Sequence, residues 1–133
     1  MIAVDVNVLL YLVLRGDHTQ MATDALRKDP DWRAPRLWRS EMLNGLTGYI
    51  RRGDLDVPRG LAAFDKARRT VRGEPMIRPG RILDLVSTSS CSAYDCEYVA
   101  AAEFLGCKLV TNDRKIIRDF PGVATSIADF VAM

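Results

Sequence analysis

The sequence has a single histidine and only three cysteines, and this scarcity limits the chemistry it can carry out. His18 has no second histidine to work with, which argues against a catalytic acid/base pair of imidazoles. Cys91, Cys96 and Cys107 form no Cys-x-x-Cys pair and are odd in number, so neither a disulfide framework nor a zinc site is expected. We expect them to be small buried apolar side chains in a reducing compartment.

Long apolar runs are also missing. No segment approaches the roughly 20 apolar residues that cross a bilayer. The apolar stretch 1–14 is interrupted by Asp5 and Asn7 and lacks the basic start and small-residue cleavage site of a signal peptide. We therefore expect a cytoplasmic protein without membrane association. No glycine-rich phosphate loop, Ser-His-Asp set, internal repeat or low-complexity tract is present.

The composition is that of an ordinary globular protein. With 133 residues, 48% apolar and 27% charged, the chain suits a single domain spanning residues 1–133. The net charge of +2 is unevenly spread, because residues 33–81 carry twelve basic against five acidic side chains and the remainder carries seven against twelve. A solvated helical face is the usual meaning of such a bias. It would also suit a protein that holds phosphates with one part and a metal with another.

Short apolar strands alternate with helices along the chain, which predicts an α/β fold with a parallel sheet. Because functional crevices in such sheets lie beyond the carboxyl ends of the strands, polar residues at those ends are candidates for a site. The predicted strands are 2–4, 32–34, 108–111 and 124–127. The predicted helices are 6–14, 19–28, 36–52, 58–72, 81–87, 93–105 and a short one from residue 114.

Two aspartates stand at predicted strand ends. Asp5 follows the first strand, and Asp113 follows the strand that ends at Thr111. Each could simply cap the helix that follows it. An acid placed directly after so apolar a strand as Ile2–Val4 is costly to bury, however, unless it meets a cation or hydrogen-bond donors.

Two further acids lie on helices. Glu41 falls within the apolar arc of its helix, beside Gly45 and Gly48, where a solvated surface glutamate is not expected. Asp95 follows Ser92 by three positions, which is the spacing of a helix capping box. It also heads a stripe of residues expected to face inward. Structural and functional roles therefore remain open for each acid taken alone.

A parallel sheet can bring these four carboxylates to one crevice. Clustered carboxylates repel one another, so without a cation at least one should take up a proton. Oxygen ligands of this kind suit Mg²⁺ or Mn²⁺, which also bind phosphate oxygens. The predicted catalytic and metal-binding set is Asp5, Glu41, Asp95 and Asp113.

The same residues resemble the PIN-domain family, specifically its VapC-type toxins. The likeness rests on Val4-Asp5-Val6-Asn7, on Ser40-Glu41, on the segment from Ser92 to Ala102, and on Leu109-Val-Thr111-Asn-Asp113. It implies a three-layer α/β/α fold with a short-stranded, twisted parallel sheet. It also implies that the four acids form the active site, that Asp5 and Asp95 are the usual metal ligands, and that Asn7 and Thr111 are supporting polar residues.

The resemblance further implies a Mg²⁺- or Mn²⁺-dependent endoribonuclease that forms a homodimer and is neutralised by an antitoxin protein. Beside the acids, Arg39, Arg114 and Lys115 are candidates for binding RNA phosphates, although ordinary surface charge explains any one of them nearly as well. An aspartyl phosphotransferase or receiver domain would want a second acid near Asp5, where the chain has Asn7. The remaining alternative is a catalytically silent PIN-like module that binds RNA or protein.

Overall fold

A computed structural model describes all 133 residues. Strands and helices alternate from the first strand to the last helix. The strands are β1 (Ile2–Val4), β2 (Trp32–Arg33), β3 (Val71–Gly73), β4 (Leu109–Val110) and β5 (Ala124–Thr125). The helices are α1 (Val6–Val13), α2 (Thr19–Lys28), α3 (Trp38–Arg51), α4 (Val57–Thr70), α5 (Pro79–Ser87), α6 (Ala93–Leu105), α7 (Arg114–Asp119) and α8 (Ile127–Ala132).

The five strands form one parallel sheet in the order β3-β2-β1-β4-β5. The chain starts at the centre with β1, runs outward to β3, and then crosses back to place β4 on the other side of β1. Ala3 is in register with Arg33 on one side and with Leu109 on the other. The carboxyl ends of β1 and β4 are therefore neighbours at the point where the strand order reverses, which is where α/β sheets form their crevices.

The core is one apolar cluster around the central strand. All three residues of β1 are buried, as are Trp32 of β2 and the two residues of β4. Helix α6 lies against β1 with a run of small buried residues, Ala100 to Ala102, which lets the helix approach the sheet closely. This packing fixes the start of α6 beside the end of β1. No helix combines the length and the apolar composition that crossing a membrane requires.

The structure confirms the α/β fold and corrects two predicted segments. The helix predicted to reach Arg72 ends at Thr70, and residues 71–73 pair with β2 as an edge strand. The Arg33 side chain lies against Gly73, where an added Cβ would be 2.9 Å from Arg33 Cδ. The strand predicted over 124–127 stops at Thr125 because Ser126 caps the short helix α8.

Candidate active site

Asp5 directly follows the central strand and is buried, with a relative exposure of 5%. Its Oδ1 accepts the Val8 N–H at 3.0 Å, which caps α1, and its Oδ2 accepts the Thr111 hydroxyl. Burial nevertheless raises the pKa of Asp5 to about 6, because these hydrogen bonds and that of Asn7 offset only part of the desolvation. The negative charge of Asp113 contributes a smaller part of this rise.

Thr111 connects this aspartate to the end of the neighbouring strand. Its hydroxyl donates to Asp5 and accepts the Asp113 N–H at 3.0 Å. Asp113 in turn caps α7, since its Oδ1 accepts the amides of Lys115 at 2.9 Å and Ile116 at 3.3 Å. Its Oδ2 accepts no hydrogen bond from the protein. One buried hydroxyl thus joins the Asp5 carboxylate at the end of β1 to the backbone of Asp113 beyond β4.

Glu41 lies on α3 and is half-buried. The buried Tyr98 of α6 donates its hydroxyl to Glu41 Oε1 at 2.7 Å. Burial raises the pKa of Glu41, and the charge of Asp95 adds to the rise while the Tyr98 hydrogen bond opposes it. The pKa of Tyr98 is raised well above its usual range by burial, by Glu41 and, more weakly, by Asp5. Tyr98 therefore lies within electrostatic reach of both acids.

Asp95 forms the predicted capping box at the start of α6. Its N–H donates to Ser92 Oγ at 3.1 Å, and its Oδ2 accepts the Ser92 N–H at 3.4 Å. Oδ1 accepts no hydrogen bond. The predicted inward stripe is also present, since Tyr98, Val99 and Ala102 are all buried. Asp95 is thus a structural cap on the helix whose next turn carries the tyrosine that holds Glu41.

The four predicted acids come to the same end of the sheet as two interacting pairs, Asp5 with Asp113 and Glu41 with Asp95. The chain has eight ion pairs, and none of them includes any of these four carboxylates. No lysine, arginine or histidine therefore forms an ion pair with any of the four carboxylates. Charge of this kind, partly buried and unpaired, is expected where a cation binds.

Comparison with known proteins assigns the family. A model of the PIN domain matches residues 2–121. The chain belongs to the PIN-domain family. A crystal structure of PAE2754 from Pyrobaculum aerophilum has the same fold, with a TM-score of 0.79 over 98% of this chain and 93% of that one, at 20% sequence identity. No curated protein matches the chain. PIN domains are generally nucleases.

The donors of this PIN domain suit a divalent metal, the group that PIN domains typically use. No three histidine, cysteine or acidic side chains lie close enough together to enclose an ion by themselves. Mg²⁺ does not need such a cage, because it keeps several waters and binds through one or two carboxylates. Asp5 and Asp113 supply that number. Burial, which raises the pKa of Asp5, disfavours its ionised form, and a bound cation would offset that cost.

A cleft of about 570 Å³ opens beside the acids between α1, α3 and the start of α6. Glu41 lines it together with the exposed Asn7 and Tyr94. Gly45 also lines it, and a Cβ there would be 2.9 Å from Leu10 Cδ1, so this glycine allows α1 and α3 to approach closely. The glycine thus serves the contact between the two helices.

The three basic candidates differ in their surroundings. Arg39 is held by Glu74, with Nε–Oε2 and Nη2–Oε1 distances of 2.7 and 2.9 Å. Arg114 and Lys115 are exposed on the first turn of α7, directly after Asp113. Sequence analysis missed Tyr98 and Asn112 as organisers of the site, although Tyr98 follows Asp95 by three residues. Asn112 Oδ1 accepts the Ile127 N–H at 3.1 Å and so ties α8 to the end of β4.

Proposed function

We propose that this PIN domain is a Mg²⁺- or Mn²⁺-dependent endoribonuclease that hydrolyses RNA phosphodiester bonds in the cytoplasm. The observation that carries the proposal is that four carboxylates lie at the carboxyl ends of the central strands and that none of them forms an ion pair within the chain. Charge of that sign repels a phosphate, so it serves an RNA-cleaving site only with a divalent cation between them.

In this proposal Asp5 and Asp113 would hold the metal, Asp95 adds negative charge that favours its binding, and Glu41 lines the substrate cleft. When bound, the metal would activate water for attack on phosphorus and offset charge on the phosphate oxygens. Thr111 keeps Asp5 and Asp113 in fixed relation through its two hydrogen bonds. Tyr98 orients Glu41 by donating to Oε1. Asn7, exposed in the same cleft, would donate a hydrogen bond to RNA.

We further propose that the chain is the toxin of a toxin–antitoxin pair, a homodimer neutralised by a cognate antitoxin protein. This part rests on the resemblance of its four motifs to VapC-type toxins. All four acids of that resemblance are present, which supports an active enzyme over a silent binding module.

The test is cleavage of total RNA by the purified protein with Mn²⁺, with and without a chelator, followed by mapping of the new RNA ends. We expect discrete cuts that require the metal and disappear in Asp5→Asn. Asp56→Asn is the matched control, since Asp56 also caps a helix but lies outside the site and accepts the Arg59 N–H at 2.8 Å. Intact RNA with folded, metal-supplied wild-type protein would rule the nuclease out.

A further inference from the structure

The cleft beside Glu41 continues into a second cleft of about 250 Å³ between α1, the end of α3 and the start of α2. Asn7 and Leu10 line both clefts, so they form one groove along α1. One end of the groove lies at Glu41. The other end lies at Tyr11, His18 and Tyr49.

The far end of the groove is unusually rich in flat side chains for a chain with only 8% aromatic residues. The rings of Tyr11 and His18 are 4.5 Å apart between centroids and inclined by 33°. Tyr49 is 39% exposed, and the Arg52 guanidinium lies over its ring at 4.9 Å. Neither tyrosine hydroxyl hydrogen-bonds within the protein, and His18, at the position before α2, caps nothing with its side chain. These groups are therefore available to a ligand.

The aromatic end lies close to the acids. Tyr11 lies one helical turn after Asn7 on α1, and Asn7 follows Asp5 by two residues. Burial raises the pKa of Tyr11, and the charges of Asp5 and Tyr49 add to the rise. A strand whose phosphate sits at the acids would therefore have its next nucleotides along this groove. Every nucleobase offers a flat face for stacking on an aromatic side chain, and an unpaired base can be turned out to meet one.

We propose that Tyr11, His18 and Tyr49 form a base-stacking subsite for an unpaired nucleotide next to the bond that is cut. The proposal rests on the proposed nuclease function and makes the substrate class single-stranded or looped RNA. Paired bases in an A-form helix cannot reach such a platform. The exposed Arg15 on the rim of the same groove is placed to meet a neighbouring phosphate.

The experiment measures binding of a fluorescent octa-adenylate by anisotropy, with Ca²⁺ in place of Mn²⁺ and intact RNA verified on a gel. We expect Tyr49→Ala and His18→Ala each to weaken binding at least about fivefold, the lower end for base stacking on an aromatic. Tyr49→Phe should bind as wild type does. Phe104→Ala is the matched control, because Phe104 is 71% exposed and lies on α6 beside Met76, in a different cleft.

A second arm replaces one base at a time by an abasic position. At one position, the abasic replacement should weaken binding to the wild-type protein. The same replacement should not weaken binding to Tyr49→Ala any further. Wild-type binding by both alanine variants, or an equal loss on duplex RNA, would overturn the subsite while leaving metal-dependent cleavage intact. Wild type that cuts no RNA but shows the stacking pattern would overturn the nuclease and keep the subsite. No RNA binding at all would overturn both.

Discussion

Asp5→Asn tests whether the folded protein is destabilised by the charge at the end of β1. Burial raises the pKa of Asp5 from 3.8 to about 6 in the folded state. Because the folded pKa is above the unfolded one, ionisation opposes folding. The penalty is absent below the unfolded pKa, grows between the two values, and is complete above the folded pKa. A difference of about two pKa units corresponds to roughly 3 kcal/mol.

The substitution also has a cost that does not depend on pH. Asparagine can still accept the Val8 N–H, but its amide group replaces the oxygen that accepts the Thr111 hydroxyl. Losing that bond costs about 1 kcal/mol. Without metal, we therefore expect Asp5→Asn to be more stable than wild type by about 2 kcal/mol at high pH and less stable by about 1 kcal/mol at low pH.

The assay is urea unfolding in a chelator at intervals from about pH 4 to pH 8, with Asp56→Asn measured in parallel. The free-energy difference between Asp5→Asn and wild type should change sign near about pH 4.5, where the ionisation penalty first exceeds about 1 kcal/mol. Asp56→Asn should not become more stable than wild type at any pH in the range. Mn²⁺ should stabilise the wild type and leave Asp5→Asn almost unchanged. A pH-independent difference, or a less stable Asp5→Asn at pH 8, would refute the reasoning.

Four further predictions follow from the same site. Asp95→Asn should abolish cleavage and most stabilisation by Mn²⁺ while keeping the fold, whereas Asp129→Asn, at the equivalent position of α8, should do neither. Tyr98→Phe should slow cleavage about tenfold through a misplaced carboxylate and shift the acidic limb of its pH profile upward, since the lost hydrogen bond favoured the ionised acid. Replacing Arg114 and Lys115 together by alanine should make the slope of log binding constant for RNA against log salt concentration less steep by up to about 1.4. An unchanged slope would show that neither residue contacts RNA phosphates. Expression of the chain alone should arrest growth, a co-expressed antitoxin should relieve the arrest, and normal growth with abundant folded protein would contradict the toxin assignment.

The position of the acids could be predicted because local signals and sheet topology agree. Asp5 and Asp113 follow short apolar strands, and parallel strands end at one edge of their sheet. Helix α6 could be predicted to the residue because Ser92 and Gly106 mark its two ends, the latter with a φ of +66°. These features depend on a few neighbouring residues, which a single sequence contains.

The rest depends on partners far away in the chain. The edge strand Val71–Gly73 exists only because β2 pairs with it, and its valine and arginine continue a helical pattern equally well. The Tyr98–Glu41 hydrogen bond joins residues 57 positions apart. Ser126 and Asp129 did carry the same capping signal as Ser92 and Asp95, but a helix of six residues has too little periodicity to stand out.

An aspartate at the carboxyl ends of β1 and β4 can cap a helix and also serve the proposed catalysis, because a carboxylate has two oxygens. Asp5 and Asp113 each use Oδ1 for the amides of a following helix, and Asp95 uses Oδ2 for the amide of Ser92. The other oxygen accepts only the Thr111 hydroxyl at Asp5 and no protein donor at Asp113 and Asp95. Three helix N-termini also favour negative charge through their dipoles. The helices therefore hold the acids in place and lower the cost of gathering them, while Asp113 and Asp95 each keep one oxygen that no protein donor occupies.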